Sequence, residues 1–426
     1  MTHGDRLYTL YTRILHEELV PAMGCTEPIA LAYAAAQARA LLGKMPERVR
    51  VEASGSIIKN VKSVIVPHTD HLKGIPAAVC AGIVAGDETR QLEVIADVTQ
   101  EGARAVRAYM DLTPVQVDFL DSPLTFDMIV TVSAGEDTAR VRIANAHTNI
   151  VLMEKNGEKL VDTPVTGESE EGFTDHSILS VEGIWDYIHA LDTADVRQLL
   201  LRQVACNMAI AEEGLRGSYG ANIGQVMLTA YGSDVRVRAK AMAAAGSDAR
   251  MNGCEMPVII NSGSGNQGIT CCVPVAVYAK ELGVEEDKFL RALALSNLIA
   301  IHIKTGIGRL SAFCGAVSAG AAAGAGIAYL HGGDFKVIAH TVVNALGIVS
   351  GIICDGAKAS CAAKIASSVD AGLLGWDMYR QGQQFYSGDG IIAKGIENNI
   401  RNVGRLGREG MRETNIEILK MMLDIG

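Results

Sequence analysis

The chain has 426 residues, 49% of them hydrophobic, 20% charged and 5% aromatic, and a formal net charge of −10. That length and apolar share imply a well-packed globular protein with two domains and exclude a disordered chain. The acidic balance and the shortage of aromatic rings argue against nucleic acid and against an anionic membrane as partners.

The opening segment, MTHGDRLYTLYTRILHEELV, is charged throughout and has no apolar signal core, so a cytoplasmic protein is expected. In a reducing compartment nine cysteines make no disulfide framework, which leaves metal binding, catalysis or core packing for them. Residues 1–44 read as two helices. Leu7, Leu10, Ile14 and Leu15 recur at helical spacing, Pro21 and Gly24 break the run, and Thr26 is placed to cap a second, alanine-rich helix. Both helices are expected to pack on the helical domain further along. Cys25, in Gly-Cys-Thr-Glu-Pro, is either a thiol activated by a helix N-terminus or part of a packed turn.

Near Pro46 the character changes, and residues 45–176 read as an α+β domain with an antiparallel or mixed sheet. RVRVEAS, LEVIADV, PVQVDFL, FDMIVTVSA, ARVRIANAHTNIVLMEKNG and KLV read as strands, with a tight turn at Asn156-Gly157. IPAAVCAGIVAG and the stretch from Gly102 to Tyr109 read as helices. In GSIIKNVKSVIVPHT the polar groups Lys59, Asn60, His68 and Thr69 cluster beside short strands. They are either contacts for an acidic substrate group or solvated element ends. TGESEEGFTDH, at 166–176, is a polar acidic connector.

Residues 177–426 read almost entirely as helices separated by glycine-rich turns, with small residues at the centre and therefore close helix contacts. The fold class is α+β with a mainly α-helical C-terminal domain, and the alanine-rich faces make a homodimer the expected assembly. NSGSGNQG, at 261–268, follows an apolar run and opens a helix. Its residues Ser262, Gly263, Ser264, Gly265, Asn266 and Gln267 either offer backbone N–H groups to a carboxylate or phosphate, or form a tight connection. His302, Lys304 and Arg309 come just ahead of Cys314, where cations would suit a carboxylate-bearing substrate or simply sit at solvated helix ends. The uncharged stretch from Leu310 to Leu330 is long enough to span a bilayer, but its Ala, Gly and Ser content reads as a helix buried in the helical domain. Cys354 and Cys361 are separated by six residues, and Cys314 lies 40 residues before Cys354. Three thiolates with one open position are what a catalytic [4Fe-4S] cluster needs, but cysteines are also common core filler, the reading given to Cys80, Cys206 and Cys254.

Taken together and in this order, GCTEPIALAYA, GSIIKNV, NSGSGNQGI, SAFCGAVSAGAAAGAG and CDGAKASCAAK closely resemble the iron–sulfur L-cysteine desulfidases, relatives of the α-chain of the iron–sulfur L-serine dehydratases. The likeness runs from about residue 15 to 400. It implies a serine dehydratase α-chain-like helical domain, a [4Fe-4S] cluster, no pyridoxal phosphate, and α,β-elimination from a small amino acid. L-cysteine would give pyruvate, ammonia and hydrogen sulfide. It implies Cys314, Cys354 and Cys361 as cluster ligands; in a competing assignment Cys25 is a ligand and Cys361 is not. Cys25 is taken as the catalytic thiolate, because a fourth protein ligand would close the open iron. Residues 262–268 would hold the carboxylate with help from Lys59, Asn60 or Lys304. L-serine is the alternative substrate, and a non-catalytic iron–sulfur sensor is the alternative of another class. A pyridoxal-phosphate eliminase built on Lys59 and the glycine loop is disfavoured by the 205 positions between Lys59 and Ser264.

Overall fold

In a computed structural model, which describes residues 1–165, 167 and 174–424, the first half of the chain lays a sheet against two apolar helices. In chain order its elements are α1 (Arg6–Glu18), β1 (Pro21–Met23), α2 (Thr26–Leu42), β2 (Arg48–Ala53), α3 (Gly55–Val61), α4 (Gly74–Ala85), α5 (Gln100–Leu112), β3 (Val115–Phe119), β4 (Asp127–Ala134), β5 (Asp137–Ala144), β6 (Ile150–Lys155) and β7 (Glu158–Asp162). The sheet runs β3-β2-β4-β5-β6-β7, parallel between β2 and β3 and antiparallel elsewhere, so it is mixed. Period-two alternation puts Val51, Val130 and Val141 opposite one another on one buried face. Helix α2 lies on that sheet at β4 and β5, with α4 beside it.

Four expectations change here. Only α1 packs on the helical half, against α6 (Val181–Ala190) and α11 (Glu286–Ile307); α2 belongs with the sheet. Cys25, not Thr26, caps α2, because the Thr26 hydroxyl donates instead to the Gly263 carbonyl at 2.9 Å. LEVIADV is not a strand. Its buried residues Leu92, Val94, Ile95 and Val98 do not alternate, and they lie on the 3₁₀ turn at Gln91–Glu93 and the turns after it. Lys59 and Asn60 stand on helix α3 rather than beside short strands. The connector expected at 166–176 lies outside the described residues at 166 and 168–173.

The second half continues from α6 with α7 (Arg197–Arg216), α8 (Ile223–Tyr231), α9 (Val235–Met251), β8 (Pro257–Ile259), α10 (Gly265–Leu282), α11, α12 (Gly315–Leu330), α13 (Phe335–Val349), α14 (Ser360–Arg380), α15 (Ile396–Arg405) and α16 (Arg412–Leu423). The architecture is α+β. Strand β8 pairs antiparallel with β1 and ties the start of α2 to the helical half. Helix α12 is central, in contact with α10, α11, α13 and α14. A Cβ on Gly320 would overlap the Ser368 backbone, and one on Gly372 would overlap the Gly320 carbonyl, so α12 and α14 touch backbone to backbone. Ala319, Ala321, Ala322, Ala323 and Ala325 are all fully buried. These small faces are used up inside the protein and supply no argument for a dimer. Among the described residues α11 alone is long and apolar enough to cross a membrane, and 78% of that stretch is buried in the fold. The stretch from Leu310 to Leu330 resolves into a loop and the buried helix α12.

Candidate active site

Four long helices begin at one cavity of about 110 Å³. Cys25 caps α2, Ser264 caps α10, Cys314 caps α12, and Cys361 stands in the first turn of α14. Each helix start directs free N–H groups and the positive end of its dipole inward. The lining adds Arg250, Lys304 and Arg309 against a single carboxylate, Glu27. The cavity is therefore built for an anion.

The thiols of Cys314, Cys354 and Cys361 line one side. Phe313 and Ile353 form an isolated antiparallel bridge, flanked by Cys314 N–H to Ile352 O at 3.0 Å and Cys354 N–H to Ala312 O at 2.6 Å. Alternation sends buried Phe313 to one face and both cysteines to the other, on a cross-strand diagonal of about 7 Å. Cys361 joins them through a short loop whose Gly356 has φ +95° and packs against the Lys59 carbonyl. Asp355 pairs with Lys358 at 2.5 Å and with Lys364, fixing the loop onto α14.

Burial, and then the neighbouring Cys354 charge, push the Cys314 thiol up to about 12, and burial raises Cys361 as well. Burial brings Lys304 down to about 8, opposed by Cys354 and Cys314. Lys364 lies within the same field of Cys314 and Cys361. Three soft sulfur donors ringed by ammonium groups fit a thiolate-held iron–sulfur cluster, whose anionic ligands those cations would offset. Among the described residues no group of three or more His, Cys, Asp or Glu side chains converges on a single-ion site.

Cys25 lines the same cavity and packs with Val64 and Met251 in a cluster that Cys361 touches. The Cys25 Sγ donates to Glu27 Oε2 at 3.1 Å, and Asn60 Nδ2 donates to Glu27 Oε1 at 2.9 Å. The thiol is raised well above its usual value by burial first and by the Glu27 charge second. Burial raises Glu27, but His147, the Cys25 thiol, the backbone and Asn60 outweigh it and hold the carboxyl below its usual value. The proton thus rests on sulfur in the ligand-free protein, against the expectation that the helix start alone makes Cys25 a thiolate. His147, buried beside Glu27 and both arginines, is brought down to about 4 by burial, with Glu27 opposing and the arginines adding to the fall.

The other expected residues divide. Ser264, Asn266, Gln267, Asn60 and Lys304 line the cavity. Lys59 does not: its Nζ donates to the Cys354 carbonyl at 3.1 Å and to Asn415 Oδ1 at 2.6 Å, so it props the cysteine loop from behind. Ser262 and Gly263 form the turn between β8 and α10, with Ser262 Oγ donating to Asn261 Oδ1 at 2.9 Å. Gly265, the first residue of α10, packs against Arg250. His302 turns away to Glu397, and His68 and Thr69 line a separate cavity with Glu255. Sequence reading missed Glu27, Arg250 and His147. Glu27 stood in the GCTEP motif and could have been weighed as a partner of Cys25; the other two carry no sequence signal that separates them from surface charges.

Over residues 89–420 the sequence matches the family model described as the serine dehydratase alpha chain. The chain is 56% identical over 424 residues to a UPF0597 protein of Desulfitobacterium hafniense, covering 100% of this chain and 99% of that one. A UPF0597 protein of Lachnoclostridium phytofermentans is 50% identical over 418 residues, with 98% and 100% covered. One from Treponema denticola is 46% identical over 419 residues, with 97% of each covered. Cys314, Cys354 and Cys361 fall inside the family match, and Cys25 and Glu27 precede it.

Proposed function

The chain belongs to the serine dehydratase α-chain family, and on that premise we propose that it is an iron–sulfur lyase acting by α,β-elimination on a small amino acid. Its substrate is L-cysteine, and its products are pyruvate, ammonia and hydrogen sulfide. Cys314, Cys354 and Cys361 hold a [4Fe-4S] cluster, which suits the reducing cytoplasm. The observation that carries this reading is that Cys314, far off in sequence, lines one cavity with Cys354, Cys361 and the Cys25–Glu27 pair.

When bound, a cluster with one iron free of protein supplies a Lewis acid for the β-substituent. The chain's own groups do the rest. The helix starts and buried cations hold the substrate's carboxylate. Glu27 takes the Cys25 proton on Oε2 while Asn60 keeps Oε1 in place, and the incoming ammonium favours the thiolate so formed. Cys25 then removes the α-proton as the bond between the β-carbon and sulfur breaks, and the departing hydrosulfide takes the proton held on Glu27 and leaves as hydrogen sulfide, which returns both side chains to their starting forms. Lys304, buried beside the ligand thiols, balances their charge. The aminoacrylate that leaves hydrolyses to pyruvate and ammonia in solution.

The test is anaerobic preparation, iron and sulfide analysis, and a pyruvate assay on L-cysteine and L-serine. About four irons per chain and sulfide release from cysteine are expected. Faster turnover of serine would make the enzyme a dehydratase by the same chemistry. Protein that takes up no cluster and forms no pyruvate from either amino acid removes the proposal.

A further inference from the structure

Arg250 stands in the last turn of α9, and its side chain is only 3% exposed. It lines the cavity beside Cys25 and Asn266. Nη1 donates to Asn266 Oδ1 at 3.1 Å, Nε has no partner, and no described carboxylate forms an ion pair with it. A buried guanidinium without an anion is costly to keep. Its surroundings add to the imbalance. A Cβ on Gly265 would overlap Nε and Cζ, so the guanidinium lies against the first residue of α10. That helix start carries the same sign of charge. Two positive groups pressed together away from water call for an anion between them.

Two of the other cations, Arg309 and Lys59, already have partners, and the third, Lys304, stands beside the ligand thiols. Arg309 Nη2 donates to the buried Glu18 at 3.0 Å. Lys304 lies in the field of Cys354 and Cys314. Lys59 is bonded to the Cys354 carbonyl, outside the lining. Arg250 is left facing Cys25.

We propose that Arg250, with Asn266 and the N-terminus of α10, is the receptor for the substrate's α-carboxylate, and that it selects free α-amino acids over their amides. This rests on the elimination reading above and deepens it. The planar fork of a guanidinium matches a carboxylate bidentately, which a lysine does not. A carboxylate seated there has its α-carbon one bond away, on the Cys25 side, and its β-substituent free to reach toward the ligand thiols. The glycine loop then serves through Asn266 and the helix start, not through Ser262 and Gly263.

The experiment uses the anaerobically prepared full chain and its Arg250→Gln and Arg250→Lys variants. Two probes separate binding from chemistry: L-alanine, which keeps ammonium and carboxylate but has no leaving group, and L-alaninamide, which lacks the carboxylate. Calorimetry on the wild type is expected to favour L-alanine by about 100-fold, and Arg250→Gln to erase that preference. In turnover, Arg250→Gln raises KM about 100-fold with a smaller fall in kcat, and Arg250→Lys raises it about 10-fold. The ligand-free Arg250→Gln protein melts at or above the wild-type temperature, because the charge it loses has no anionic partner. An Arg250→Lys enzyme with unchanged KM and an unchanged preference between the two probes overturns the receptor, even where the Gln variant fails to fold. Should the wild type turn over neither amino acid yet bind L-alanine through Arg250, the reaction falls and the receptor stands. Should the wild type turn over and the variants keep its KM, the receptor falls and the reaction stands.

Discussion

The Cys25 thiol donates a 3.1 Å hydrogen bond to Glu27, two residues along the same helix start, so a buried thiol and a buried carboxylate are joined through one proton. Burial and the carboxylate both keep that proton on sulfur, and only Glu27 is bonded to receive it. Glu27→Gln keeps the shape and removes the acceptor. Its kcat is expected to fall about 100-fold or more, with iron content unchanged. Cys25→Ala should abolish turnover with the cluster's visible absorbance intact; an absorbance lost with Cys25 would make it a ligand instead.

His147 gives stability a defined pH window. It is buried, its Nε2 has no partner, and its pKa in the fold is about 4 against an ordinary 6.5. Between those values the unfolded chain binds the proton and the folded one does not, so stability rises with pH through the window and is lost as pH falls from 6.5 toward 4. The full span is worth about 3 kcal/mol. Glu27 acts in the same direction in a lower window, since its folded value lies below 4.5. His147→Gln should flatten the dependence of the urea midpoint on pH between 6.5 and 4.5, leaving the steeper loss below. An unchanged slope would mean that the imidazole takes its proton without leaving the fold.

Lys59 touches the Cys354 carbonyl and Asn415, not the cavity. Its loss is therefore expected to appear in the metal rather than in the substrate. Lys59→Met should release iron to a chelator about 10-fold faster, the usual scale for a group one step removed from a metal ligand, while KM changes less than about twofold. A large KM effect with iron retention unaltered would return Lys59 to the substrate site.

Residue types were legible in the sequence, and their neighbours much less so. The alternation of RVRVEA marks β2, because a sheet with one covered face imposes period two; in DMIVTVSA it holds from Val130 onward, the first four residues of β4 all being buried. LEVIADV misleads because its apolar residues reach the core from a 3₁₀ turn and the turns after it, where burial needs no alternation. Cys354 and Cys361 announce a loop, but it is the Phe313–Ile353 bridge, a long-range pairing, that delivers Cys314 to them. Arg250 shares helix α9 with Arg236, Arg238 and Lys240, which reach acids on neighbouring helices. Nothing in VRVRAKAMAAAGSDARM separates the buried arginine from the paired ones, because which face of a helix is covered is decided by elements far away in the chain.

The crossing of α12 and α14 couples packing to the candidate cluster. Gly372 meets the Gly320 carbonyl where a Cβ would overlap it, and Gly324 packs against the Gly372 backbone from the same side. The two helices carry Cys314 and Cys361 at their starts, so the crossing sets the distance between those thiols. Gly372→Ala must push the helices apart or tilt them, at a cost of about 1–3 kcal/mol for an overpacked core. A lower melting temperature is expected even without iron, together with less iron taken up per chain on anaerobic reconstitution. Gly332→Ala is the control, since a Cβ there meets nothing within 4 Å. With φ +83° it bears backbone strain of its own, so it should lose stability without losing iron. Equal iron uptake by both variants would show that the thiols are set by the loop from Cys354 to Cys361, and not by the helix crossing.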